Sequence, residues 1–226
     1  MDLNKIFIAL DYTDINKARK TVKNLGGDIV NYKIGHPLFS SCGYEIIEFL
    51  KAEGKKVFLD MKYFDIPSVI FSSVKNLVKQ RIDFFTVHSL AGSDLLRGIA
   101  EITAGTETMP LAVTVLTSIP EEKLDEILLI SREFKDVMQI LVRRTIESGI
   151  RGIVCSPKEI TFVKGISERL TVVTPGIRME KDDRGDQSRV MTPDEAFKSG
   201  ADFLVIGRSI TDAPDPSKII EYLKNS

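Results

Sequence analysis

The sequence is poor in the features that mark secreted and membrane proteins. It has only two cysteines, Cys42 and Cys155, too few for a disulfide framework and suited to a reducing compartment. No apolar run approaches the roughly 18 residues that a spanning helix needs. The opening MDLNKIFIALDYTD also lacks the basic segment of a signal peptide. We therefore expect a soluble, cytoplasmic protein with no membrane partner.

Net charge is nearly absent as well. The 226 residues contain 31 Lys and Arg against 32 Asp and Glu, which leaves a formal charge of −1. Without an overall basic field, the chain favours neither nucleic acid nor an anionic membrane as a partner. A hydrophobic content of 43% is nevertheless enough to build a sizeable core.

Short apolar stretches rich in Val, Ile and Phe alternate with amphipathic stretches along the whole chain. This alternation predicts parallel strands with helices packed outside. Eight strands in this length indicate one (β/α)8 barrel domain over residues 1–226, with a doubly wound open sheet as the alternative. The strand candidates are 5–10, 28–34, 56–61, 83–88, 110–116, 152–156, 170–174 and 202–207. The helix candidates are 14–25, 37–53, 66–80, 93–104, 133–148, 157–164, 193–198 and 216–224.

Charged residues stand at the ends of the first three predicted strands. Strand one ends at Asp11, strand two at Lys33, and strand three at Asp60 and Lys62, with Asp65 in the following loop. Residues at i and i+2 of a strand point the same way, so Asp60 and Lys62 are expected on one face. Because the carboxyl ends of barrel strands form the active-site face, these groups are candidates for catalysis. The three acids could instead hold Mg²⁺, although a lysine between two of them argues against a metal.

The end of strand eight predicts a phosphate site. Gly207 lets the backbone approach a ligand, and Arg208 offers a fixed, charged fork. Barrel enzymes often bind phosphate at the loops after strands seven and eight. The long polar stretch 176–191 precedes strand eight and is interpreted as a functional lid or as a solvated loop.

Seven ordered motifs together resemble the orotidine 5′-monophosphate decarboxylase family over nearly the whole chain. They are ALD at 9–11, YKIG at 32–35, LDMKYFDIP at 59–67, TVLTS at 114–118, VTPGIR at 173–178, DQSRVMTP at 186–193 and VIGRSIT at 205–211. The resemblance implies cofactor-free, metal-free decarboxylation of orotidine 5′-monophosphate to uridine 5′-monophosphate in pyrimidine biosynthesis. It also implies a homodimer with shared active sites.

The resemblance assigns roles to the charged residues. Lys62 would donate a proton to C6 of the pyrimidine, and Asp60 would lie beside the substrate carboxylate. Lys33 and Asp11 would hold the ribose hydroxyls and orient the other charges. Asp65 would reach across the dimer interface into the partner's site.

The resemblance further implies a set of substrate-binding residues outside this group. Ser118 would meet the pyrimidine edge, and 175–185 would belong to a closing loop. The phosphate would be held by Gln187, Arg208 and the Gly207 backbone. Val69 replaces the Thr or Ala of many relatives, so a hydroxyl contact would be lost there. The full set is Ile66, Val69, Ser118, Pro175, Gly176, Arg178, Gly185, Gln187, Gly207 and Arg208.

Two alternatives remain at this point. The Mg²⁺-dependent sister enzymes, 3-keto-gulonate-6-phosphate decarboxylase and hexulose-phosphate synthase, share the DxKxxD pattern. They place an acidic ligand where this chain has Lys33, and they lack TPGIR. A catalytically silent nucleotide-binding protein is the second alternative, which the intact charged residues speak against. His88 and Cys155 are interpreted as structural residues.

Overall fold

Eight parallel strands close into a barrel in the computed structural model, which describes residues 1–128, 132–179 and 190–225. Each strand pairs with its successor, and the last pairs with the first. The predicted barrel is therefore confirmed, and all eight strand candidates are strands. They are Ile6–Leu10 (β1), Asn31–Gly35 (β2), Lys56–Tyr63 (β3), Phe84–His88 (β4), Met109–Val113 (β5), Gly152–Val154 (β6), Thr171–Thr174 (β7) and Phe203–Ile206 (β8).

The described helices lie mainly in the connections between strands. None of them is long and apolar enough to span a membrane. They are Ile15–Leu25 (α1), His36–Cys42 (α2), Glu45–Ala52 (α3), Pro67–Lys79 (α4), Ser93–Thr103 (α5), Leu124–Leu128 (α6), Phe134–Glu147 (α7), Ile160–Ile166 (α8), Pro193–Lys198 (α9), Arg208–Thr211 (α10) and Pro216–Asn225 (α11). Single 3₁₀ turns lie at Leu3–Lys5, Ser89–Ala91, Glu121–Lys123 and Pro157–Glu159.

Local sequence explains where several helices begin and end. Asp14 caps α1 by accepting a hydrogen bond from the backbone of Asn16, and Thr192 and Glu195 form a capping box at α9. The single helix expected over 37–53 is wrong. Gly43, at φ 56°, divides it into α2 and α3, because glycine reaches this left-handed conformation without a steric cost.

The core has two layers. Outward-facing strand residues and the helices bury a large apolar cluster between them. Inside the barrel, Phe7, Phe58, Phe84 and Phe203 come from the N-terminal ends of their strands and pack with ring centroids 5.2 to 6.3 Å apart. These four rings form a phenylalanine floor, so the polar residues at the opposite strand ends lie above an apolar base.

Candidate active site

The end of β3 is irregular. Its pairing with β4 shifts register between Leu59 and Tyr63, and Lys62 has a positive φ of 47°. The predicted strand is present, but a bulge interrupts its regular pairing near its end. Asp60 and Lys62 nevertheless meet, with Lys62 Nζ 2.9 Å from Asp60 Oδ1.

Four charged residues from three strands form what we call the charge array. Lys33 Nζ lies 3.0 Å from Asp11 Oδ1 and 3.7 Å from Asp60 Oδ2, and Lys62 approaches Asp60 from the other side. The side chains of Lys33 and Asp60 are 10% and 16% exposed, whereas that of Asp11 is 54% exposed. Alternating signs let these charges share a partly buried site that would be costly for any one of them alone.

The pKa of Asp60 shows how the array works electrostatically. Burial raises the pKa of this carboxyl, but the charges of Lys33 and Lys62, with hydrogen bonds from Lys62 and Thr86, more than offset that effect. The net result is a pKa below the usual range, so Asp60 is ionised at neutral pH.

Thr86 and Gly35 complete the array and were not expected there from the sequence. Thr86 Oγ1 donates to Asp60 Oδ1 over 2.9 Å and accepts from the backbone N–H of Lys62 over 2.8 Å. A Cβ on Gly35 would lie 3.1 Å from Asp11 Oδ1 and 3.3 Å from Lys33 Nζ, so a side chain would crowd the ion pair. The alternation of β4 could have revealed Thr86, which lies two positions before the strand end.

A cavity of about 510 Å³ opens above the charge array. Its walls hold several residues that the sequence indicated at strand ends seven and eight. These are Pro175, Gly176, Arg178, Gly207 and Arg208. Other wall residues had no role assigned to them from the sequence, among them Tyr12, Val113, Val115, Leu116, Val154, Thr211 and Asp212. Arg178 and Arg208 contribute two guanidinium groups to this wall.

Asp65 does not join the charge array of its own chain. It is exposed, and its Oδ1 accepts from the backbone N–H of Ile66 over 2.7 Å. The neighbouring apolar side chains are also exposed, with Phe64 at 65%, Ile66 at 61% and Val69 at 45%. These four residues form a patch outside the cavity wall, which we call the Asp65 patch.

The remaining expected residues fall into two groups. Ser118 is exposed, and the neighbouring cavity wall is formed by Leu116 and Thr117. Gly185 and Gln187 lie outside the described residues. In the described part of the chain, no three His, Cys, Asp or Glu side chains come together in a way that could hold a metal ion.

The two residues interpreted as structural have environments that fit that reading. His88 Nδ1 accepts from the backbone N–H of Leu90 over 3.3 Å, and burial together with the charge of Lys62 lowers the pKa of His88. Cys155 is 1% exposed, and burial raises the pKa of its thiol. A buried, protonated thiol is a poor nucleophile.

Comparison with known proteins gives consistent matches. The model of the Orotidine 5'-phosphate decarboxylase / HUMPS family matches residues 4–222. Relatives named orotidine 5′-phosphate decarboxylase include that of Dictyoglomus turgidum, 36% identical over 97% of this chain and 93% of the relative. The relative from Lawsonia intracellularis is 39% identical over 98% of both chains.

Solved structures match the fold over the same length. The crystal structure of orotidine 5′-phosphate decarboxylase from Lactobacillus acidophilus is 32% identical, with a TM-score of 0.85 and 98% of both chains covered. An uncharacterized conserved protein from Geobacillus kaustophilus is 30% identical, also with a TM-score of 0.85, and the match covers 97% of this chain and 98% of that one.

Proposed function

Since the chain belongs to the orotidine 5′-phosphate decarboxylase / HUMPS family, we propose that it converts orotidine 5′-monophosphate to uridine 5′-monophosphate in the cavity above the charge array. This carboxy-lyase reaction belongs to pyrimidine biosynthesis. The observation that carries the proposal is the Lys62 ammonium, held 2.9 Å from Asp60 beside the cavity. The relatives named for this activity cover nearly the full chain, which favours it over the Mg²⁺-dependent sister reactions.

Lys62 supplies the proton in the proposed reaction. The C6–carboxylate bond breaks, CO2 leaves, and the electron pair of that bond remains on C6. The Lys62 ammonium stabilises the developing negative charge and then gives C6 its proton, after which the amine regains a proton from water. The other members of the array keep the ammonium in place, since Asp60 holds it by opposite charge and Lys33 balances Asp60.

The two arginines of the cavity wall support a phosphorylated substrate. Arg178 and Arg208 line the same cavity as the charge array. Gly207 also lines it and joins the end of β8 to Arg208. A guanidinium binds phosphate oxygens through paired, charge-assisted hydrogen bonds. Phosphate binding remote from the reacting carbon can contribute the energy that orients the pyrimidine over Lys62.

A direct assay tests this function. The purified protein is expected to consume orotidine 5′-monophosphate, followed by ultraviolet absorbance, at the same rate with and without EDTA. The matched substrate control is a 3-keto-gulonate 6-phosphate, which should not be decarboxylated. Failure to turn over orotidine 5′-monophosphate, or loss of turnover in EDTA, would contradict the proposal.

We further propose that the enzyme is a homodimer in which Asp65 serves the partner's site. The observation that supports this is the Asp65 patch, where a charged catalytic candidate lies apart from its own array beside three exposed apolar side chains. Covering such a patch with a second copy would remove apolar area from water. A symmetric dimer would then bring each Asp65 toward the other subunit's cavity.

Mixing inactive variants tests the shared site. Lys62→Ala and Asp65→Ala proteins are each expected to be inactive. Unfolding and refolding them together should restore about a quarter of wild-type activity, because half the dimers are mixed and each has one intact site. The control mixes Lys62→Ala with Lys33→Ala, two changes on the same side of the interface, and should restore no activity beyond that of the Lys33→Ala protein alone. Equal recovery in both mixtures, or none in either, would exclude sharing through Asp65.

The cysteines agree with a cytoplasmic location, which we also propose. Cys42 and Cys155 are both free thiols. Free thiols persist in reducing compartments and tend to oxidise outside them.

A further inference from the structure

One hydroxyl links the two catalytic candidates of β3 to the neighbouring strand. Thr86 lies on β4 opposite the bulge and is 1% exposed. Its Oγ1 is 2.8 Å from the backbone nitrogen of Lys62 and 2.9 Å from Asp60 Oδ1. The hydroxyl therefore contacts both residues at once without lining the cavity.

The chemistry of the groups fixes the direction of both hydrogen bonds. The N–H of Lys62 can only donate, so the hydroxyl oxygen accepts there. Its single proton is then free for Asp60, whose ionised carboxylate can only accept. The same Asp60 oxygen also accepts from Lys62 Nζ over 2.9 Å. Both ends of Lys62 are thus joined through Thr86 and Asp60 in one closed ring of hydrogen bonds.

This ring forms where the backbone is strained. Lys62 has a φ of 47°, a left-handed conformation that residues with a side chain adopt at a cost. The register shift also removes regular ladder partners between Leu59 and Tyr63. Strained residues persist where surrounding contacts hold them, and such strain clusters at functional sites. Thr86 accepts a hydrogen bond from the Lys62 backbone at this strained position.

We propose that Thr86 is a positioning residue of the decarboxylation, which fixes the Lys62 backbone and the Asp60 carboxylate in the geometry that proton donation needs. This inference rests on the proposed function. Thr86 acts through Lys62 and Asp60 and does not touch substrate. Its loss should therefore slow the chemical step and leave phosphate-dependent substrate binding, which comes from the ends of β7 and β8, nearly intact.

Thr86→Val tests the inference because valine keeps the branched shape and removes the hydroxyl. We expect kcat to fall about ten- to hundredfold, the range for a hydrogen bond to a charged group. KM for orotidine 5′-monophosphate and the inhibition constant of uridine 5′-monophosphate should change less than about threefold. Thr86→Ser, which keeps the hydroxyl, should restore most of kcat.

Two comparisons separate positioning from a general effect on folding. Thr145 is a fully buried threonine on α7 whose hydroxyl donates only to Leu141 of its own helix. Thr145→Val should change thermal stability without changing kcat. If Thr86→Val does not fold, Thr86→Ala and Thr86→Ser form a second pair that differs by the hydroxyl alone.

Several results would overturn the role of Thr86. They are an unchanged kcat in Thr86→Val, a serine variant as slow as the valine variant, or a loss of product binding that matches the loss of kcat. An inactive wild-type enzyme would overturn the proposed function itself. An active wild type with an unimpaired Thr86→Val would overturn only the inference about Thr86.

Discussion

Lys33→Met removes the charge that lies between Asp11 and Asp60 while keeping an unbranched side chain of similar length. Lys33 Nζ is 3.0 Å from Asp11 Oδ1 and 3.7 Å from Asp60 Oδ2, and the lysine side chain is only 10% exposed. Methionine can fill the space of the buried stem. The substitution therefore isolates the contribution of the ammonium.

The size of the effect follows from the burial of each partner. Two unit charges 4 Å apart attract by about 4 kcal/mol at an effective dielectric constant near 20, which is an upper bound here. Asp60 keeps Lys62 at 2.9 Å, so it is not left without a counter-charge. Asp11 is 54% exposed, and its pair with Lys33 is largely screened. We expect the free energy of unfolding at pH 7 to fall by about 1–3 kcal/mol.

The pH dependence has a defined sign. The pKa of Asp60 is lowered in the folded protein, and Lys33 is the largest of the lowering causes. Such a carboxylate stabilises the fold above its unfolded pKa, and this contribution is lost as the pH falls through the folded pKa. Lys33→Met should therefore destabilise most at neutral pH and least in acid, where Asp60 is protonated in both proteins. The acid limb of kcat/KM should move to higher pH.

The assay pairs denaturant unfolding at pH 7 and at the lowest pH at which both proteins still fold with a pH profile of kcat/KM. Lys164→Met is the control, since Lys164 is 19% exposed and lies 2.7 Å from Asp202 Oδ2, outside the cavity wall. It should lower stability without moving the acid limb of activity. An unmoved acid limb in Lys33→Met, or a stability loss equal at both pH values, would refute the electrostatic reasoning.

Three further predictions follow from the cavity and the barrel interior. Lys62→Ala should abolish turnover while circular dichroism and the melting temperature stay near wild type, and near-normal decarboxylation would contradict proton donation. Arg208→Ala should raise KM at least about tenfold with a smaller change in kcat, as expected for lost phosphate binding; an unchanged KM would remove this arginine from the site. Gly152→Ala should lower the unfolding free energy by about 1–3 kcal/mol, because the new Cβ would overlap Cδ2 of the buried Leu111 side chain. Gly165→Ala, whose Cβ would meet nothing within 4 Å, is the control and should not destabilise.

The fold could be read from the sequence because strands of a closed parallel barrel are short, continuous apolar runs. Each such run, from Ile6–Leu10 to Phe203–Ile206, proved to be a strand. The break between α2 and α3 was missed because apolar residues continue at helical spacing on both sides of Gly43. A single glycine in that pattern gives little warning of a left-handed turn.

Only part of the candidate site could be predicted from the sequence. Charged side chains at strand ends are unusual, so Asp11, Lys33, Asp60 and Lys62 stood out. The bulge was hidden because the residue with positive φ is a lysine, whereas glycine is the usual signal for that conformation. Thr86 was overlooked for a different reason: the alternation of β4 places it on the inner face, but threonine is an ordinary strand residue and its role depends on a neighbouring strand.

The phenylalanine floor has a consequence for how protons reach the enzyme. Four rings close the barrel below the charge array, while the cavity opens above it. In the proposed mechanism, the solvent proton that replaces the one given to C6 must then reach Lys62 along the path by which the nucleotide enters and leaves. At the end of each catalytic cycle, the product would leave and a solvent proton would enter through the same opening of the cavity. In heavy water, the hydrogen delivered to C6 would therefore be deuterium once the Lys62 ammonium has exchanged with the solvent.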